Sequence, residues 1–191
     1  MDQLGNLGPL APLAGSWEGD QGLDISFNHA LGKVAETPYK ERTTFAPFGP
    51  VENGKQILYG LDYRTAAWRA EEDEPFHTEV GYWLWDADAG QVMRCFMVPR
   101  GTVVIAGGEA SPDSRCFAMR AVIGSEVFGI LSNPHLDRTA RTVEYLVTIT
   151  VLDDDTYSYE EDTVLAMDFM DDLLHHTDRN TLRRAADRSG P

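Results

Sequence analysis

Apolar and polar residues alternate with a period of two along most of the chain, as expected of strands that bury one face. Tyr145, Val147, Ile149 and Val151 share one face, while Leu146, Thr148 and Thr150 share the other. Tyr157, Tyr159 and Glu161 alternate in the same way with Ser158, Glu160 and Asp162. Phe76 to Trp85 divides differently: Phe76, Thr78, Val80, Tyr82 and Leu84 fall on one face, and His77, Glu79, Gly81, Trp83 and Trp85 on the other. Neither is a plain solvent face. An aromatic face with one histidine and one carboxylate suits the wall of a ligand cavity.

Strands are predicted at 23–29, 33–45, 56–68, 76–86, 91–98, 102–108, 115–123, 127–131, 142–152, 156–167 and 175–184. Turn chemistry separates them at Asn53-Gly54, Asp88-Ala89-Gly90, Pro99-Arg100-Gly101, Pro112-Asp113-Ser114 and Asp153-Asp154-Asp155. Short strands at this spacing, with almost no helical periodicity, predict an all-β antiparallel barrel or sandwich. Only residues 7–14 can form a helical turn, and their prolines keep it short. Such a turn would plug one barrel end. The 191 residues suit one domain spanning 1–191, with a core over about 10–186. There is no internal repeat, and the acidic run Glu71-Glu72-Asp73-Glu74 reads as a solvated hairpin loop.

Charge narrows the partners. With 16 Lys and Arg against 31 Asp and Glu, the formal charge is -15, which argues against nucleic acid or an anionic membrane surface. No apolar run approaches the ~20 residues of a membrane helix. Met1-Asp2-Gln3-Leu4-Gly5 lacks the basic start of a signal peptide, so a cytoplasmic protein is expected. If strands pair in sequence order, one strand separates those of Cys95 and Cys116 by ~10 Å, too far for a disulfide. Reduced core thiols are expected, in keeping with a reducing compartment.

The five histidines are His29, His77, His135, His175 and His176. An apolar cavity with one neutral imidazole suffices to hold haem iron. His77 sits among aromatics. His175 and His176 enter the final strand, so one faces in and the other out. A last strand closing a barrel pairs with the first and brings one of them into the lumen. A nonhaem site of His77, Glu79 and one of His175 or His176 is a second arrangement, since His77 and Glu79 lie about 7 Å apart on one strand face. Each histidine also has a plain structural reading, as a hydrogen-bonded residue. Neither cysteine adjoins a basic cluster that would activate it, and no nucleophile elbow, phosphate loop or dinucleotide motif follows any strand.

Gly15-Ser16-Trp17-Glu18-Gly19, Phe27-Asn28-His29 and His77-Thr78-Glu79-Val80-Gly81-Tyr82 resemble the nitrobindin family, haem-binding β-barrels also described as fatty-acid-binding-protein-like. The resemblance runs from about Leu10 to Arg184. The ending His175-His176-Thr177-Asp178-Arg179-Asn180-Thr181-Leu182 looks like the longer bacterial form. The resemblance implies a calycin or lipocalin-like, up-and-down antiparallel barrel of about ten strands with a cavity at one mouth. It implies ferric haem b held by His176, or else His175, with His77 as a second pocket histidine and Trp83 and Phe96 among the lining aromatics. It further implies nitric oxide binding and conversion of peroxynitrite to nitrate, and allows a homodimer. The alternative is a haem-free carrier or sensor of a fatty-acid-like or other apolar small molecule.

Overall fold

The structure is a computed structural model that describes residues 4–70 and 72–186. The opening Met1-Asp2-Gln3 and the Glu71 of the acidic run lie outside the described residues. Eleven strands run in chain order: β1 (Gly15–Asn28), β2 (Lys33–Asn53), β3 (Gln56–Arg69), β4 (His77–Asp86), β5 (Gln91–Val98), β6 (Thr102–Glu109), β7 (Cys116–Val122), β8 (Ile130–Ser132), β9 (Ala140–Val151), β10 (Thr156–Met167) and β11 (Leu174–Arg184). They form one antiparallel sheet in the order β5-β4-β3-β2-β1-β11-β10-β9-β7-β6-β8, and pairing of β5 with β6 closes it. Ten strands make the ring. The short β8 sits outside it, paired with β6. Closure removes the exposed sheet edges that would otherwise recruit other strands.

The last strand does pair with the first. Trp17 lies opposite Arg184 and Ile25 opposite Thr177, with a bulge between Glu18 and Leu23. The strand predicted to begin at residue 23 therefore begins at Gly15. Its glycine-rich opening reads as loop in sequence, yet the glycines belong to the strand. A Cβ on Gly22 would strike the ring of Tyr39, and one on Gly19 would strike Asn180 and the carbonyl of Thr181. Sequence periodicity also missed a short helix, α1 (Pro134–Thr139). Asn133 caps it by accepting from the N–H groups of His135 and Leu136, and Pro134 occupies its first turn.

The expected N-terminal turn is two 3-10 turns, Leu4–Asn6 and Gly8–Leu13. Leu7, Leu10 and Leu13 are fully buried and stop one end of the barrel, where Trp17, Trp85 and Leu182 join the same core. The Trp17 indole N–H donates to the Leu13 carbonyl at 2.7 Å. Arg184 straps this plug from β11. Its guanidinium lies 4.3 Å above the Trp17 ring and donates to the carbonyls of Ala14 at 2.8 Å and Pro12 at 3.1 Å. The opposite end carries the β1–β2, β3–β4, β5–β6 and β10–β11 loops together with α1, and it stays open.

Both cysteines are free thiols, and β6 lies between their strands as expected. Cys95 is half-buried, but Cys116 is exposed on the outer face rather than in the core. Among the described residues, no helix is long and apolar enough to cross a membrane.

Candidate functional site

A cavity of about 240 Å³ occupies the barrel between the plugged core and the open mouth. Strand parity decides what enters it. On β11, Leu174, His176, Asp178, Asn180 and Leu182 alternate inward, so the two neighbouring histidines part company. His176 lines the cavity, 34 % exposed, with Nε2 2.7 Å from Oδ2 of Asp24 on β1. His175 faces outward, 62 % exposed, and pairs with Asp162 at 2.7 Å. His77 lines the cavity from β4, four strands around the ring, with its side chain 41 % exposed. Its Nε2 is 3.0 Å from Oε1 of Glu79. Trp83 and Phe96, also expected in the lining, are there and buried. His29 and His135 are exposed, outside the cavity.

The expectation of an apolar lumen requires correction. Phe45, Phe76, Phe96, Trp83, Val98, Val104, Leu136 and Leu165 give it apolar walls, but Asp24, Glu41, Glu79, Glu161, Asp178 and Arg94 line it as well. Arg94 is the organising charge. It stands between Val92 and Phe96 on the inward face of β5 and is 8 % exposed. Its guanidinium donates to Glu79 at 2.6 Å, to Glu161 at 2.8 Å, to the hydroxyl of Tyr63 at 2.8 Å and to that of Tyr145. Tyr145 donates in turn to Glu161 at 2.7 Å. The aromatic rings of Phe96, Trp83, Tyr63 and Tyr145 surround the cation, with Phe96 nearest at 4.6 Å. A second network centres on Glu41, which accepts from Thr43, Thr65, Tyr159 and Asn180. Tyr39 joins Tyr159 at 2.7 Å and also donates to Asp178.

These surroundings set the charges. Burial raises Asp178 to about 8, with Glu161 nearby pushing the same way. Burial likewise raises Glu79 to about 7, even against the attraction of Arg94. Both carboxyls thus exchange protons near neutral pH. Burial alone would lower His176, but the hydrogen bond and charge of Asp24 win and raise it. Asp24 shifts the opposite way: burial opposes the change, while bonds from His176 and Ser26 hold it below the usual carboxylate range. His77 is lowered, chiefly by burial. Both cavity imidazoles therefore meet a carboxylate, His176 on Asp24 and His77 on Glu79, but His176 is biased to the charged form and His77 to neutrality.

The metal arrangement of His77, Glu79 and a C-terminal histidine is not assembled. Among the described residues, no group of three or more His, Cys, Asp or Glu is placed to hold a metal ion. Sequence reasoning missed Arg94, Asp24, Glu41, Asp178 and the inward tyrosines. Arg94 carried a readable signal, because Val92, Arg94 and Phe96 alternate with Met93 and Cys95 and place a lone charge on an apolar face. Nothing local announced Asp24 or Glu41, whose inward position depends on the bulge in β1 and on the register of β2.

The family model for the THAP4-like, heme-binding beta-barrel domain matches residues 6–184. Among solved structures, Rv2717c from M. tuberculosis aligns with a TM-score of 0.64 at 20 % identity, covering 95 % of this chain and 98 % of that one. At that identity the likeness is one of fold. No curated protein matches the sequence.

Proposed function

Because the chain belongs to the family of THAP4-like, heme-binding beta-barrel domains, we propose that its cavity binds haem, with His176 as the side chain that would hold the iron. The observation that carries this reading is that His176, and not His175, turns into the cavity from the closing strand. From the closing strand the cavity offers the group one inward imidazole. Its Nε2, the nitrogen able to reach iron because Nδ1 is crowded by its own Cβ, rests on Asp24 and would exchange that hydrogen bond for the metal. Phe76, Phe96, Val98 and Leu165 supply apolar wall for a macrocycle. When bound, ferric haem would supply an open coordination position for a small ligand.

The chain's own residues do the rest. Asp24 holds the ring of His176 at the cavity wall, and binding at Nε2 would displace the proton shared with that carboxylate. His77, biased to neutrality, offers a hydrogen bond to a guest near the mouth. Protons held by Glu79 and Asp178 make the lining less anionic than its composition, which lowers the repulsion felt by haem propionates. Nitric oxide binding and isomerisation of peroxynitrite extend this reading and rest on the nitrobindin resemblance. Peroxynitrite decay no faster than with free ferric haem would remove the enzymatic part alone.

Haemin titration of the purified protein tests the binding. A saturable Soret shift is expected, lost in His176→Ala and kept in His175→Ala and His29→Ala. Absence of saturable binding, or equal loss in His175→Ala, would contradict it.

A second reading is favoured by the hydroxyls and carboxylates that line the cavity, with Glu41, Tyr39, Tyr159 and Asp178 in one hydrogen-bonded network. It is a haem-free carrier or sensor, whose guest would be a small polar molecule rather than a fatty acid. Mass spectrometry of an organic extract that returns a stoichiometric polar compound supports it, and repeatedly empty extracts count against it.

A further inference from the structure

The outer wall of the barrel carries its charges unevenly. Outward positions on β10 hold Glu160 and Asp162, and those on β3 hold Asp62 and Arg64. On β4, β5 and β6 the same wall is apolar. Two cross-strand rows run over it, with Val80, Met97, Val103 and the Leu131 of β8 in one, and Tyr82, Cys95 and Ile105 in the next. Cys95 is half-buried, and the other six are 38–76 % exposed. Among the described residues, no outward position from Val80 to Leu84, Met93 to Met97 or Val103 to Gly107 is charged. Apolar residues scattered singly over a surface need no explanation, but a continuous patch does. Tyrosine and methionine without Lys, Asp or Glu is the composition of a protein–protein interface core.

We infer that this face of β4–β6 and β8 is where two copies of the chain meet, about a two-fold axis that crosses the strands between the two rows. The area is sufficient. A specific dimer takes about 800 Å² from each partner, about two-thirds of it apolar. The six exposed side chains offer roughly 500 Å² of apolar surface, which meets that need. Charge selects a second copy as the occupant. Each chain carries a formal -15, so two copies repel wherever their carboxylates come together, and this face brings none. Its β3 border is self-complementary. Asp62 lies opposite Tyr82 and Arg64 opposite Val80, both are exposed, and neither has an ion-pair partner among the described residues. The same axis sets Asp62 of one copy against Arg64 of the other, and Tyr82 against Val80, as a self-matching interface requires.

Sedimentation velocity of the full chain from about 1 to 100 µM tests the interface. A monomer–dimer equilibrium is expected in that range. Tyr82→Asp should raise the dissociation constant about thirtyfold or more, as for a residue at the centre of an interface. Met97→Asp should do the same and stands in if Tyr82→Asp fails to fold. Leu146→Asp, equally exposed but on the outer face of β9, should leave the constant unchanged. A wild type that stays monomeric, a dimer as tight in Tyr82→Asp and Met97→Asp as in wild type, or equal weakening by Leu146→Asp would each overturn the inference. So would a monomer that pellets with phosphatidylcholine vesicles through Tyr82, which would make the face a lipid contact. The readout uses no haem, so a negative haemin titration leaves it intact.

Discussion

At the scale of single residues, the cavity is held by charges that cannot be removed one at a time. Arg94 is buried against Glu79 and Glu161, and deleting one partner of such a set strands the others without water. Arg94→Ala should lower stability by about 3–5 kcal/mol in urea unfolding. Arg94→Met combined with Glu79→Gln and Glu161→Gln should recover most of that. A loss under about 1 kcal/mol for the single change, the size of an exposed ion pair, would show that the network is not desolvated. Glu79 makes a prediction in pH. Its folded value of about 7 lies above its ordinary 4.5, so over that interval the folded protein keeps a proton that the unfolded chain releases. Stability should therefore fall as pH rises from about 5 to 7 and level off above, with Asp178 extending the fall toward 8. Glu79→Gln should flatten the slope, and the exposed Glu160→Gln should not; identical slopes in the two variants would contradict this. Of the residues that matter here, the alternation around Phe76–Trp85 made His77, Glu79 and Trp83 legible. The choice between His175 and His176 was not, because one step of register exchanges them.

At the scale of elements, the period-two pattern placed nearly every strand, and it failed where glycine, proline or a cap took over. The first half of β1 was hidden by its glycines, which are there because Tyr39 and Asn180 occupy the space a side chain would need. The helix α1 was hidden because six residues are too few for a helical period to show. Its Asn133-Pro134 start carried the better signal. The N-terminal turns were legible as a plug but not in their depth: Leu7, Leu10 and Leu13 are as buried as any strand residue. Leu10→Ala should therefore cost about 2–5 kcal/mol, as for a core leucine. A thermal midpoint unchanged from wild type would mean that the plug merely rests on the barrel. Arg184→Ala should loosen the same element from the other side, by removing the stacked cation over Trp17 and its bonds to two plug carbonyls. Faster amide exchange over residues 7–14 than in wild type is the expected sign, and unchanged exchange would contradict it.

At the scale of the whole molecule, closing ten strands against a plug at one end leaves a single open mouth, with the polar half of the interior beneath it. Sequence supplied the barrel, because short alternating strands with local turns have few other ways to bury their edges. It did not supply the chemistry of the lumen. A charge on an inward face looks the same in sequence as one on an outward face, until bulges and register fix the parity. The carboxylates of Asp24, Glu41 and Asp178 are individually unremarked among 31 acidic residues, and only the fold gathers them. Haemin titration of His176→Ala beside His175→Ala tests the central claim most directly. The account predicts that the inward His176 is required for a saturable Soret shift and that the outward His175 is dispensable. A shift that survives in His176→Ala, or one that wild type never gives, would contradict it.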